Sequence, residues 1–282
     1  MAEHRATPIH IHRYRQGTLL GTPDIVAAEE PLELRLGFGP HDARSQKSVA
    51  ITMRTPGNDL ELTLGFLFTE GIIHDMGNIT HIDHCTDGRG ERSPNVVRAE
   101  LHPDVAVDWD KLQRNFYTTS SCGICGKASI ESLENICPSK VTSTVKAEAE
   151  TILGLINTMR EAQQIFQHTG GLHASALFDA SGNMIHLRED IGRHNALDKI
   201  IGAAIFQKEL ELQNTVVLLS GRCCFELVQK SAMAGIPIVV SVGAPSSLAI
   251  ETAEKFGITL IGFLKKDGFN VYCHGERLRY QD

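Results

Sequence analysis

Two short stretches in the second half of the chain, Thr215-Val-Val-Leu-Leu219 and Ile236-Pro-Ile-Val-Val240, contain no charged residue and almost no polar one. A strand with one wet face alternates apolar with polar residues. Unbroken apolar runs belong to strands covered on both faces, as in a parallel sheet sheathed by helices. The neighbouring segments agree. Helical periodicity over Arg193–Phe206, Cys224–Ala234 and Ser247–Phe256 alternates with strands over Thr215–Ser220, Pro237–Val242 and Ile258–Leu264. Repeated strand–helix–strand order implies right-handed crossovers and a three-layer α/β/α sandwich. Upstream, Ile152, Leu155, Ile156, Met159 and Ala162 predict an amphipathic helix over about Ala149–Gln167. A hairpin follows, with strands His173–Phe178 and Met184–Arg188 turned by Asp179-Ala-Ser-Gly182.

The first half reads differently. Alternating runs predict strands at Ile9–Tyr14, Leu32–Phe38, Ser48–Arg54, Ile79–His84 and Val96–His102. One strong helix interrupts them over Asp59–Glu70, ended by Gly71. Further helices are predicted at Asp108–Phe116 and at Ala128–Ile136, with a polar, glycine-bearing loop over Thr118–Gly126 between them. The expected organisation is a smaller mixed α+β domain over residues 1–145, carrying a mobile CxxC loop, and an α/β domain over residues 146–282.

Composition narrows the function classes. The 282 residues carry 27 Lys+Arg against 34 Asp+Glu, a net charge of −7, which argues against bulk nucleic-acid binding driven by phosphate neutralisation. The longest apolar stretches fall far short of the ~20 residues of a membrane helix. The charged start, MAEHRATPIHIHRYRQ, is read as neither a secretory signal nor an anchor. Seven scattered cysteines, an odd number, leave at least one free thiol and fit a reducing, cytoplasmic setting.

In an open parallel sheet, ligands gather at the carboxyl ends of the strands. Here those positions carry Ser220-Gly221-Arg222, Gly243-Ala-Pro-Ser246 and the stretch Phe263, Leu264, Lys265, Lys266, Asp267, Gly268, while Glu189-Asp-Ile-Gly-Arg193-His194 opens a helix. Backbone N–H groups and fixed cations of this kind hold phosphates or nucleotides. No GxGxxG or GxxxxGK[ST] is present, so neither a Rossmann cofactor nor a P-loop nucleotide is supported. The competing reading pairs Arg193 and Arg222 with a carboxylate such as Asp190, and leaves Lys265 and Lys266 as a solvated strand end.

The peptide Thr118-Thr-Ser-Ser-Cys122-Gly-Ile-Cys125-Gly126 carries the clearest chemistry. A thiol reacts as thiolate, and exposure with nearby cations lowers its pKa; Lys127 and the following helix start supply positive potential. One CxxC is half a zinc site, and adjacent Cys223–Cys224 makes a poor second half. A dithiol redox motif belongs between a strand and a helix of a βαβ unit. A carrier of sulfane sulfur or an acyl group fits mobility and exposure, and a structural role stays open. The second half also follows the order in which a zinc deaminase places its ligands, but H-x-E and P-C-x-x-C are missing: the segments read Arg193-His194-Asn-Ala196 and Cys223-Cys224-Phe-Glu226. No metal is expected.

Several long strings are more specific: AAEEPLELRLGF, LTLGFLFTEGII, SCGICG, HTGGLHASALF, EDIGRHNALDKIIG and SGRCCFELVQKSAMAGIPIVVSVGAPSSLAIETAEKFGITLIGF. In this order the chain resembles the FdhD/NarQ family of formate dehydrogenase accessory sulfurtransferases along nearly its whole length. The resemblance implies a cytidine-deaminase-like second domain. It implies a protein that accepts sulfur from a cysteine desulfurase as a persulfide and passes it to the molybdenum bis(molybdopterin guanine dinucleotide) cofactor of formate dehydrogenase, its bound substrate. It places the persulfide on Cys122, with Cys125 as helper or disulfide partner, and the cofactor at Phe263–Gly268; Arg193, His194 and Arg222 are added as support from their place at the sheet edge. Family members often read Lys-Pro-Gly-Arg where this chain reads Lys265-Lys-Asp-Gly268, which weakens a simple phosphate clamp. Cys223 and Cys224 stand where small or hydroxyl residues are expected and are read as packing at a helix start. A homodimer would let one subunit's loop serve the other's pocket.

Overall fold

The computed structural model describes residues 5–86, 88–109, 140–207 and 211–280. The expected helix at Ala128–Ile136, nearly all of that at Asp108–Phe116, and the loop bearing Cys122 and Cys125 lie outside the described residues.

The chain opens with a two-stranded ribbon, β1 (Ala6–Arg15) and β2 (Thr18–Ala27), antiparallel and joined by Gln16 and Gly17, both at positive φ. A two-residue hairpin of that geometry matches the twist of its strands. Then come β3 (Glu30–Phe38), β4 (Ser45–Arg54), α1 (Asp59–Thr69), β5 (Ile79–Thr86) and β6 (Arg92–Leu101). Strands β3 to β6 form a four-stranded sheet in the order β4-β3-β6-β5. Its apolar face, including Leu32, Leu34, Leu36, Val97 and Ala99, packs on Leu62, Leu64 and Leu67 of α1.

The second half contains β7 (Ala147–Glu148), α2 (Ala149–Ala162), α3 (Gln164–Thr169), β8 (His173–Asp179), β9 (Met184–Asp190) and α4 (Arg193–Phe206). It continues through β10 (Thr215–Leu219), α5 (Phe225–Met233), β11 (Ile238–Ser241), α6 (Ser247–Phe256), β12 (Thr259–Lys265), β13 (Gly268–Cys273) and β14 (Leu278–Arg279). A six-stranded sheet runs β13-β12-β11-β10-β8-β9, with β10, β11 and β12 parallel and the flanking strands antiparallel. Its core is alternation made visible. Val217, Leu219, Val239 and Leu260 face helices α4, α5 and α6, while Val216, Leu218, Val240 and Ile261 face α2. Three layers result, as the doubly apolar runs require.

The single helix expected over Ala149–Gln167 is two helices. The backbone N–H groups of Ile165 and Phe166 donate to the Glu189 carboxylate at 3.0 and 2.8 Å, which caps a second helix start. The periodicity of apolar residues has no way to register that cap.

The two sheets meet through α1 and α4. A Cβ on Gly65 would lie 1.9 Å from the Asp198 carbonyl oxygen, and one on Gly202 would lie 1.9 Å from that of Glu61. The helix backbones therefore touch without intervening side chains. Around this crossing runs a polar seam. Arg188 forks onto Glu61 at 2.5 and 2.7 Å, and Arg54 forks onto Asp59 at 3.0 and 2.9 Å. Lys230 reaches Asp198 and Thr69 Oγ1, both at 2.9 Å. Burial works to lower the Lys230 pKa, but the Asp198 and Glu70 carboxylates outweigh it and raise it. No helix among the described residues is long and apolar enough to cross a membrane.

Alanine at Gly202 should cost about 1–3 kcal/mol or more, because the added methyl meets backbone. Alanine at Gly154, in the exposed interior of α2 with nothing within 4 Å of the new methyl, should gain roughly 0.5–1 kcal/mol. Urea midpoints at unchanged slope read both.

Candidate functional site

Five loops and strand ends converge on one edge of the six-stranded sheet. The parallel strands β10, β11 and β12 end there, and antiparallel pairing brings the start of β8 and the end of β9 to the same edge. Backbone bonds stitch the loops together: Gly243 N–H donates to Gly221 O at 2.9 Å, Cys223 N–H to Ala244 O at 3.1 Å, and Phe263 N–H to Gly243 O at 3.1 Å. Gly221 lies close to His173, whose Nδ1 would be 3.2 Å from a Cβ built there.

At one end of this edge, the start of α4 is fixed by Asp190. Its fully buried carboxylate accepts from the backbone N–H groups of Thr55 at 3.2 Å and Gly192 at 2.8 Å, from Asn195 Nδ2 at 3.1 Å and from Lys199 at 2.7 Å. Asp190 thus pairs with Lys199, and Arg193 turns elsewhere. One Arg193 terminal nitrogen lies 3.9 Å from Cys224 Sγ, and its Nε is buried without a hydrogen-bond partner. His194 Nε2 lies 3.2 Å from the same sulfur and 3.9 Å from Glu226 Oε2. Burial, then the Arg193 charge, pushes the His194 pKa down to about 4, so the imidazole is neutral near pH 7. Burial and Glu226 raise the Cys224 thiol, keeping it protonated. Burial also works to raise Glu226, yet its hydrogen bonds with Cys224 and with its own backbone N–H, and the Arg193 charge, hold it below its usual range. Cys223 packs in the core beneath, as a small residue at a helix start. Cys224 is only partly buried: it packs against the margin of the same core from the N-cap position of α5, and its sulfur faces His194. Sequence reading treated the two cysteines alike, and missed Glu226 and His173. The signal for Cys224 and Glu226 was their place on the first turn of a helix that starts at the ligand edge.

At the other end, Phe263, Lys265, Asp267, Gly268, Phe269 and Asn270 line an open cavity of about 460 Å³. Of the stretch read from sequence, Leu264 instead points into the core and Lys266 is exposed but outside this lining. Arg222 is exposed on the loop between the two ends. Where β12 meets β13, the register slips by one residue between Gly262 and Lys265, and Phe263 stands there at φ +54° as a 42% exposed residue. A bulky side chain at positive φ is strained, and such strain persists where surrounding structure imposes it. The bulge places Phe263 in the lining of the cavity. Cys122 and Cys125 lie outside the described residues, so their distance from this edge is not part of the geometry.

The sequence profile of the FdhD/NarQ family matches residues 27–279, nearly the whole described chain. The chain belongs to the FdhD/NarQ family. Within that family, it is 46% identical over 266 residues to the sulfur carrier protein FdhD of Mycolicibacterium paratuberculosis, covering 93% of this chain and 94% of that protein. A crystal structure of a formate dehydrogenase accessory protein from Desulfotalea psychrophila superposes at a TM-score of 0.74 over 97% of this chain and 99% of that one, at 24% identity. The FdhD/NarQ fold is therefore shared with it. A guanine deaminase from Nitrosomonas europaea overlays on 53% of the chain at a TM-score of 0.32, too low to carry the deaminase likeness read from the sequence.

Replacement of Phe263 separates strain from ring. The Phe263→Gly protein should be more stable than Phe263→Ala by about 1 kcal/mol, the reverse of the usual order in a strand, because only glycine is free of the left-handed penalty. Equal stabilities would remove strain from the account of this bulge.

Proposed function

We propose that the protein is a sulfurtransferase of formate dehydrogenase maturation, acting in the cytoplasm, with Cys122 as the sulfur-bearing thiol. The observation that carries this reading is 46% identity, over 93% of the chain, to a protein named a sulfur carrier. The Cys122-Gly-Ile-Cys125 motif supplies the thiols such a carrier needs, with glycines 123 and 126 on either side of Cys125.

The chemistry follows from thiol exchange. The Cys122 thiolate attacks the terminal sulfur of a persulfide on a cysteine desulfurase; the new S–S bond leaves a Cys122 persulfide, and the donor departs as thiolate. That terminal sulfur is at the zero-valent level, whereas a sulfido ligand on molybdenum needs sulfide. Attack by the Cys125 thiol on the Cys122 sulfur closes a Cys122–Cys125 disulfide and expels hydrosulfide, so the two electrons come from the Cys122/Cys125 pair, one from each sulfur. A reductant then reopens the pair.

The cavity at Phe263–Gly268 is read as the seat of the substrate, a guanine dinucleotide cofactor carrying molybdenum. Phe263 offers an exposed ring on which a purine can stack. Asp267 can accept hydrogen bonds from the guanine N1–H and exocyclic amine, which gives a role to the carboxylate that spoils a phosphate clamp. Lys265, Arg222 and Arg193 supply positive charge along the edge for the phosphates. The formate dehydrogenase apoenzyme is the receiving partner, and a homodimer would place a second Cys122 loop within reach of each cavity.

Intact-protein mass spectrometry after incubation with a cysteine desulfurase and cysteine tests the relay. Wild type should gain one reductant-labile sulfur, Cys122→Ala none, and Cys125→Ala should keep its adduct longer than wild type. An absence of sulfur on every form, with active desulfurase, overturns the relay and leaves a cofactor-binding escort.

A further inference from the structure

The cluster at the starts of α4 and α5 has no task in the relay just described, yet it gathers three different ligating atoms. His194 Nε2, Cys224 Sγ and one Glu226 carboxylate oxygen all lie within 4.8 Å of one another. Two of the separations are 3.2 Å for nitrogen to sulfur and 3.9 Å for nitrogen to oxygen. With Zn–S near 2.3 Å and Zn–N or Zn–O at about 2.0–2.1 Å, the edges of a tetrahedral site are about 3.3–3.6 Å. The triangle in place is one face of such a site, opened slightly on its oxygen side. Closing it takes only rotation of Glu226, whose side chain is 46% exposed.

We propose that His194, Cys224 and Glu226 bind one divalent cation of the zinc class, leaving the fourth tetrahedral position open. Thiolate and carboxylate together neutralise the ion's two charges, and the imidazole completes a borderline-soft donor set that suits zinc over magnesium or calcium. On binding, the Cys224 S–H bond is replaced by a sulfur–metal bond and the proton leaves to solvent. Arg193, 3.9 Å from Sγ, stands where N–H donors commonly support a metal-bound thiolate. The ligands sit on two helix starts anchored by Asp190 and by the loop stitching around Cys223, so His194 and Cys224 are already placed and Glu226 turns in to complete the set. An open position at this sheet edge would take water or an anionic sulfur ligand. The sequence lacks the expected H-x-E and P-C-x-x-C spacings because its ligands come from a different set of positions: a single cysteine, and a glutamate two residues beyond it.

The test uses the full-length protein, stripped with a chelator under reducing conditions and titrated with Co²⁺. Binding through a thiolate gives a sulfur-to-cobalt charge-transfer absorption, and zinc displaces it. We expect one metal per chain and the charge-transfer band in wild type and in the Cys122→Ser/Cys125→Ser double variant. The Cys224→Ser protein should lose the band, and His194→Gln should weaken binding by roughly tenfold or more. The proposal is overturned by two results: no bound cobalt or zinc in folded wild type, or a band that survives Cys224→Ser and disappears in the double variant. The second result would assign metal to the CxxC thiols instead. Neither result bears on whether Cys122 carries sulfur.

Discussion

Everything in this molecule is arranged around one crossing, where Gly65 of α1 lies against Asp198 of α4 and Gly202 of α4 against Glu61 of α1. Two helices that approach this closely exclude side chains between them, and the surrounding charges must then be satisfied at short range. Arg188–Glu61, Arg54–Asp59, Lys199–Asp190 and Lys230–Asp198 do so, each joining groups whose isolated burial would cost several kcal/mol. The same arrangement fixes the ligand edge. Asp190 closes the seam through Lys199 and Thr55 and, with its other contacts, orients the first turn of α4, where Arg193 and His194 stand.

The ligand edge itself follows from topology. Parallel β10, β11 and β12 deliver three loops to one side of the sheet, and two antiparallel strands bring His173 and the start of α4 to meet them. Core strands with no polar face leave all the chemistry to their ends. The result is a division of labour along the edge: neutral imidazole, thiol and carboxylate at one end, an open cavity beneath a strained aromatic residue at the other, and the exposed Arg222 between them.

Much of this was legible in the residues, for physical reasons that differ from place to place. The doubly apolar strands announced the three-layer second half because burial on both faces leaves no other composition. Helix α1 was legible as a helix, but its placement was not: Gly65 reads as a mild helix weakener until a second helix is laid against it. The ribbon strand Thr18–Ala27 was missed because neither face packs into a core, so no alternation was imposed on it, and it carries Gly21 and Pro23. Strand β13 was missed for a similar reason, being an edge strand half in solvent. The stretch Phe263–Gly268, singled out by its position after the last core strand, lines a cavity there except at Leu264, which packs in the core, and Lys266, which stands outside the lining. The contact of His194 with Cys224 spans thirty residues of chain. Only the fold creates such a pair.

A helix crossing made of bare backbone behaves like a weld rather than a bearing. Sliding α1 along α4 by even one residue would drive a Cβ into a carbonyl oxygen, and rolling either helix would tear the forked ion pairs beside it. The two sheets consequently keep a fixed attitude across this joint throughout any working cycle. Any displacement has to be absorbed by loops and strand ends away from the joint, with the scaffold between them acting as a stationary frame.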